Sequence, residues 1–113
     1  KIYFKNLNST SLILPKLNKY SYHVYHLFTV YHPSRDKIVD QLKKKFIDTR
    51  IIYQYPIHKM TAYKKLFLVN NRLKNSEKKS KGIFCLPLYP EMTDAEVLKV
   101  CKILKNIMKK LRL

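Results

Sequence analysis

The last quarter of the chain carries the clearest pattern of apolar and polar positions. Pro87 and Pro90 lack the backbone N–H and hold their neighbours extended, so the segment around them cannot be helical. Thr93 is followed three residues later by Glu96, which is the spacing of a capping box. Apolar residues then recur with a helical period, which predicts one amphipathic helix from Thr93 to Leu111. Its buried face comprises Val97, Val100, Cys101, Leu104, Ile107, Met108 and Leu111.

A run rich in aromatic and β-branched residues, Tyr22 to Tyr31, predicts a strand that ends before Pro33. Both of its alternating faces are largely apolar, which predicts a central strand covered on both sides. His23 and His26 would then lie on opposite faces, and this placement excludes them as a pair of metal ligands. Further short strands are predicted near Leu12, from Thr49 to Tyr53 and from Phe84 to Leu86.

A second amphipathic helix is predicted from Ser34 to Phe46, with Ser34 as its N-cap. Two weaker helical segments follow, from Lys59 to Phe67 and from Asn75 to Lys81. Gly82, the only glycine, is expected to end the second of these in the left-handed conformation. Together the elements predict an α+β fold, a small and mainly antiparallel sheet with the two long helices packed on one face.

Composition allows two explanations of the formal net charge of +17. A strongly basic chain suggests a nucleic-acid or acidic-membrane partner. The plainer explanation is codon bias, because the abundant Lys, Ile, Asn and Tyr all have A/T-rich codons. No run approaches the ~18 apolar residues of a membrane span, and these residues contain no apolar region typical of a signal peptide. We therefore expect a cytoplasmic protein with no membrane partner. Cys85 and Cys101 stand in apolar contexts typical of reduced core residues.

The turn before the last helix reads Leu86-Pro87-Leu88-Tyr89-Pro90-Glu91-Met92-Thr93. It resembles the closing signature of the sugar-nucleotide aminotransferases of the DegT/DnrJ/StrS type. These are fold-type I pyridoxal-phosphate enzymes with an aspartate-aminotransferase-like fold. Earlier parts of the chain match the same family in order and with similar spacing, namely Tyr25 to Val30, Arg35 with Asp36, Leu42, Ile47 to Thr49, and Tyr53 with Pro56 to His58.

The resemblance implies that residues 1–113 form a single small C-terminal domain, a fragment of a longer enzyme. In the family the Schiff-base lysine and the glycine-rich phosphate-binding segments belong to the large domain, and this chain has one glycine and no phosphate-cradling loop. We therefore expect no catalytic residue, no cofactor-binding residue and no metal site here. The implied partners are the large domain of the same protein, a nucleotide-linked sugar and an amino donor, in a homodimer serving polysaccharide biosynthesis.

The same resemblance places a turn around Pro56 on the sugar side of the cofactor cleft. Tyr53 and His58 flank this turn, and His26 is a third candidate because the family often has His there. A Tyr can stack on or hydrogen-bond a sugar, and a His can meet a hydroxyl or a phosphate. The structural alternatives are that Tyr53 packs in the sheet, that His58 caps a helix beginning at Lys59, and that His26 is a buried strand residue.

The chain departs from the family pattern at three places. Ile52 stands where the family often has His, Phe46 where Gly is common, and Gln54 where Pro is frequent. The remaining functional alternative is a basic α+β module that binds single-stranded nucleic acid by stacking bases on Tyr rings. Because both faces of the main strand are apolar, we expect its aromatics to be buried and any nucleic-acid binding to be unspecific.

Overall fold

The computed structural model describes residues 1–63 and 73–113. Within them the chain is an α+β fold, as the sequence predicts. Its helices are α1 (Ile2–Leu7), α2 (Arg35–Lys43), α3 (Lys74–Gly82) and α4 (Asp94–Leu111), with a single 3-10 turn at Ile57–Lys59. Its strands are β1 (Phe28–Tyr31) and β2 (Ile83–Leu86).

The two strands pair antiparallel, from Phe28 opposite Leu86 to Tyr31 opposite Ile83. The segment near Leu12 lies along the other edge of β1, to which a single bridge between Ile13 and Tyr31 connects it. A second bridge, between Arg50 and Cys85, adds the segment after Thr49 outside β2. All four predicted extended segments therefore lie side by side, although each outer segment meets the sheet at one bridge.

The predicted strand from Tyr22 is wrong in its first half, because β1 begins only at Phe28. Continuing the observed registers would place Pro87 and Pro15 beside the chain at Leu27 and Thr29, and proline has no N–H to extend a ladder. Tyr25 also has a φ of 48°, outside the extended region. His23 and His26 consequently lie exposed before the strand, not on its two faces.

Helix α4 is the element on which the core is built. The Thr93 hydroxyl accepts from the Glu96 N–H at 3.3 Å, and the Thr93 N–H donates to Glu96 Oε2 at 2.8 Å, so the predicted capping box is confirmed. The predicted apolar face is buried except for Leu111, which is half-buried. It packs with α1, α2 and the sheet face formed by Phe28, Val30, Phe84 and Leu86.

Helix α1 was not predicted. It spans six residues and has no side-chain cap, so its local signals are weak. Packing against α4 holds it, with Tyr3 and Leu7 buried in the core. The Tyr3 hydroxyl donates to the carbonyl of Pro87 at 2.7 Å, and burial raises the pKa of this phenol.

Helix α2 starts and ends inside its predicted limits. Ser34 is at the N-cap position but its side chain makes no capping bond, and the helix ends at Lys43. The Ile47 N–H donates to the Leu42 carbonyl and the Phe46 N–H to the Lys43 carbonyl, both at 3.0 Å. This is a Schellman motif, and Phe46 is its left-handed residue with a φ of 56°.

Gly82 does not end α3 in the left-handed conformation, and that prediction is wrong. It is the last helical residue, and a side chain there would collide with the ring of Tyr31 and lie 2.8 Å from the His32 carbonyl. Close approach of α3 to β1 therefore requires the glycine. The predicted helix from Lys59 to Phe67 lies partly outside the described residues, and its described part up to Tyr63 contains no α-helix.

Candidate functional site

Two of the three candidate residues, Tyr53 and His58, line the same surface groove. It has a volume of about 480 Å³ and lies between the chain after the Arg50 bridge and helix α3. Its walls are mostly apolar. The lining residues are Tyr53, Tyr55, Pro56, Ile57 and His58 on one side, and Leu73, Ser76, Lys79, Ser80 and Ile83 on the other.

The sheet edge and a proline position the first wall. Arg50 and Cys85 exchange two backbone hydrogen bonds, of 2.8 and 3.3 Å, which fix where the chain leaves β2. Pro56 is extended, with a φ of −62° and a ψ of 145°, and the 3-10 turn starts directly after it. Tyr53 is 66% exposed, so it is not packed in the sheet as the structural alternative proposed. Its ring is free to meet a ligand in the groove.

His58 is half-buried and hydrogen-bonded across the groove. Its Nε2 lies 3.1 Å from Oε1 of Glu77 on α3, and Lys59 Nζ lies 3.1 Å from the other oxygen of the same carboxylate. These two bonds hold the pKa of Glu77 below its usual range, and the bond from His58 has the larger effect. His58 thus lies inside the 3-10 turn and binds α3. The structural alternative, in which His58 caps a helix beginning at Lys59, does not describe this arrangement.

His26 is not among the residues that line this groove. It is exposed, so the alternative of a buried strand histidine is wrong as well. Its neighbour Tyr25 belongs to an aromatic cluster with Phe4 and Phe28, at centroid distances of 6.1 and 6.0 Å. The structure therefore brings Tyr53 and His58 together and leaves His26 apart.

Two basic residues at this site were not predicted. Lys79 lines the groove, and its ammonium lies 4.6 Å from the centroid of the Tyr31 ring. Arg35 is buried, with Nη1 donating to the Ser80 carbonyl at 2.6 Å and Nε to Asp36 at 2.8 Å. Arg35 thereby fixes the end of α3 that forms the groove. The sequence signal that could have pointed to Arg35 was the match of Arg35 and Asp36 to the family pattern.

The described residues do not by themselves fit pyridoxal phosphate. Every described lysine is exposed, so none offers a desolvated amine for a Schiff base. The space beside Gly82 is filled by Tyr31 and His32, so this glycine forms no open cradle for a phosphate. Residues 1–63 and 73–113 bring together no group of three metal-binding side chains. Nor do they contain a helix with the length and apolar composition of a membrane span.

The sequence profile of the DegT/DnrJ/EryC1/StrS aminotransferases matches residues 1–105. The chain belongs to this family. The predicted resemblance to this aminotransferase family is therefore confirmed.

Similar proteins extend well beyond this chain. A dTDP-3-amino-3,4,6-trideoxy-alpha-D-glucose transaminase of Micromonospora megalomicea subsp. nigra is 34% identical over 86 residues, which are 75% of this chain and 23% of that protein. The structure of S. venezuelae DesV in complex with a ketimine intermediate superposes with a TM-score of 0.86 at 27% identity, over 92% of this chain and 28% of DesV. NtdA of Bacillus subtilis, with bound cofactor PMP, gives a TM-score of 0.80 at 28% identity, over 95% and 26% of the two chains. The chain thus spans about a quarter of the length of these proteins.

Proposed function

We propose that residues 1–113 are the C-terminal small domain of a pyridoxal-phosphate-dependent sugar-nucleotide aminotransferase. The observation that carries the proposal is the superposition on DesV, which uses nearly all of this chain and 28% of the longer one. Every described lysine is exposed and the space beside Gly82 is filled, which supports placing the cofactor site elsewhere. We therefore assign cofactor binding and proton transfer to a large domain of the same protein, and we assign no catalytic residue to this chain.

In this proposal the domain closes over the cofactor cleft and helps to bind the sugar nucleotide. Tyr53 presents an exposed phenol and a ring face that suit a sugar. His58 is held in place by Glu77, so its position in the groove is fixed before a ligand arrives. The apolar walls offer a surface on which the face of a sugar ring can pack. His26 remains a weaker candidate, because it lies outside the groove.

The partners follow from the same proposal. The substrates are a nucleotide-linked sugar and an amino donor, in line with the transaminase and sugar-aminotransferase relatives. The large domain covers exposed apolar residues of this one, and two copies of the complete protein form a homodimer acting in the cytoplasm. Exposed apolar residues available for such cover include Leu88 and Ile13, which lies at the edge of the sheet.

Substitutions in the longer protein test the assignment. Tyr53→Phe and His58→Ala are each expected to raise the KM for the sugar nucleotide several-fold, because they remove ligand contacts and leave the cofactor site untouched. The absorption spectrum of the bound cofactor should stay as in the parent. Tyr20→Phe and His23→Ala are the matched controls, because both side chains are exposed and neither lines the groove.

The KM and the thermal midpoint are measured for all four variants. An unchanged KM in Tyr53→Phe and His58→Ala, with only a lowered midpoint, would reduce both residues to a structural role. It would leave the family assignment intact, because that assignment rests on the sequence profile.

A further inference from the structure

A single phenylalanine protrudes from the end of helix α2. Phe46 is 99% exposed, the most exposed of the large apolar side chains in the described residues. It also occupies the left-handed position of the Schellman motif, with a φ of 56°, where glycine is the favoured residue. A side chain with a Cβ costs free energy in this conformation, and the ring gains no burial in return. Stability therefore does not explain the phenylalanine.

Several lysines lie near this ring, in the chain before it and on helix α4. Lys43 and Lys45 precede it in the chain, and Lys99 of α4 lines the same groove of about 370 Å³ as Lys45 and Phe46. Lys102 lies on α4 three residues beyond Lys99, on the same side of the helix. All four lysines are exposed. We call Lys43, Lys45, Phe46, Lys99 and Lys102 the Phe46 patch.

The acidic groups near the patch are largely engaged by other partners. Asp40 forms an ion pair with Lys44 at 2.8 Å, so both charges are offset. Glu96 accepts from the Thr93 backbone and hydroxyl, each at 2.8 Å. The exposed Asp48 is the remaining carboxylate beside the groove. The four lysines therefore outweigh the local negative charge.

The absence of a spanning segment led us to expect no membrane partner, but a peripheral contact needs no such segment. We infer that the Phe46 patch docks on an anionic lipid surface, with the Phe46 ring entering the interface and the four lysines meeting acidic headgroups. A protruding apolar ring within a cluster of lysines is the combination by which peripheral proteins bind such surfaces. The proposal is independent of the sugar site, because no residue of the patch lines the groove of Tyr53 and His58.

Single-stranded nucleic acid fits the patch less well. Binding of single-stranded nucleic acid requires several aromatic rings in a row along a basic groove, so that successive bases can stack on them. The second aromatic residue of this groove, Tyr89, has its hydroxyl 3.4 Å from Oε1 of Glu96. A phosphate backbone passing there would meet a carboxylate. A lipid surface requires only the protruding ring and the charges around it.

A tryptophan at the tip reports the docking directly. The chain has no tryptophan, so Phe46→Trp would carry its only indole. The 113-residue chain is mixed at low salt with vesicles of phosphatidylcholine, alone or with one third phosphatidylglycerol. The proposal predicts that the indole emission shifts to shorter wavelength only when the vesicles contain phosphatidylglycerol. High salt should reverse this shift. Co-sedimentation with the vesicles without any shift would show that another face binds, and would overturn the proposal.

Two further variants separate the ring from the charge, with vesicle affinity measured by co-sedimentation. Phe46→Gly should weaken binding roughly tenfold, because the apolar ring is lost. This change relaxes the backbone, so misfolding cannot account for the loss. Replacing Lys43, Lys45 and Lys99 by Gln should weaken binding about a hundredfold, at roughly fivefold per lysine.

The matched control replaces Lys74, Lys78 and Lys81 by Gln. These exposed lysines of α3 carry the same total charge but lie outside the patch. An equal loss in the two triple variants would mean diffuse attraction by the whole chain and would overturn the proposal. Tighter binding of Phe46→Trp to a single-stranded oligonucleotide than to the anionic vesicles would overturn it in favour of nucleic acid.

Discussion

The imidazole Nε2 of His58 lies 3.1 Å from Oε1 of Glu77 and so connects the two walls of the groove. One wall is the turn after Pro56, and the other is helix α3. The same carboxylate also receives Lys59 Nζ at 3.1 Å. A residue proposed to meet the sugar is therefore also the residue that fixes the width of the site.

Removing the carboxylate should loosen this connection. Glu77→Gln is expected to lower the thermal midpoint, and His58→Ala should then cost less in the Glu77→Gln background than alone. The folded-state pKa of Glu77 is depressed, so its contribution is complete above the ordinary value of 4.5 and is lost as pH falls through the depressed value. Midpoints measured across that range provide the check. Additive losses in the double variant would show that the two side chains do not interact.

Phe46→Gly should stabilise the isolated chain. Glycine adopts the left-handed conformation without the Cβ clash, and we expect a gain of about 1 kcal/mol in the free energy of unfolding. Phe46→Ala is the control, since it removes the ring but keeps the Cβ and should change little. Denaturant unfolding of the three proteins measures the difference. Equal stability of the Gly and Ala variants would contradict the strain argument.

The elements that the sequence predicted well are those specified by local signals. Helix α4 has its capping box and an unbroken apolar face, so Thr93 and Glu96 identify its start from the sequence alone. The strand expected from Tyr22 failed because a strand depends on its neighbours. The registers place Pro87 beside Leu27 and Pro15 beside Thr29, and neither proline can extend the ladder toward Tyr22. Helix α1 is too short to be recognised and depends on contacts with α4.

The candidate site divides in the same way. Tyr53 and His58 were found by resemblance to the family, and the structure places both on one groove. Lys79 and Glu77 come from a helix about twenty residues further along, and only tertiary packing brings them there. His26 was proposed as part of a strand, and its position changed once that strand was found to begin at Phe28.

Gly82→Ala should destabilise the fold, although it lies at the end of a helix where alanine is normally favoured. The added methyl would lie 2.8 Å from the His32 carbonyl and against the Tyr31 ring. The carbonyl cannot move away freely, because the His32 N–H is bonded to the Gly82 carbonyl at 3.0 Å. We expect a loss of about 1–3 kcal/mol, as for other overpacked sites.

The neighbouring Lys81→Ala, at an exposed position of the same helix, serves as the control for helix propensity. Denaturant unfolding measures both variants. A Gly82→Ala chain as stable as Lys81→Ala would show that α3 can shift away from β1 without cost.

His32 should make the fold sensitive to mild acid. Its side chain is buried, its Nδ1 accepts from the Ser34 N–H at 3.0 Å, and its Nε2 lies 3.2 Å from the Ser11 hydroxyl. The neutral ring therefore carries its proton on Nε2 and donates to Ser11. Protonation would place a second N–H opposite the Ser34 N–H, two donors facing each other.

Burial lowers the pKa of His32 below its ordinary value of 6.5. The unfolded chain then binds the proton at higher pH than the folded chain. Stability is complete above pH 6.5 and falls as the pH drops from there to the lowered folded-state value, below which it levels off. His32→Asn should flatten this part of the profile, because the amide oxygen can accept from Ser34 and does not titrate. The exposed His26→Asn is the control and should keep the full slope. The free energy of unfolding is measured at a series of pH values for the parent, His32→Asn and His26→Asn. Equal pH dependence in all three proteins would show that another group causes the acid sensitivity.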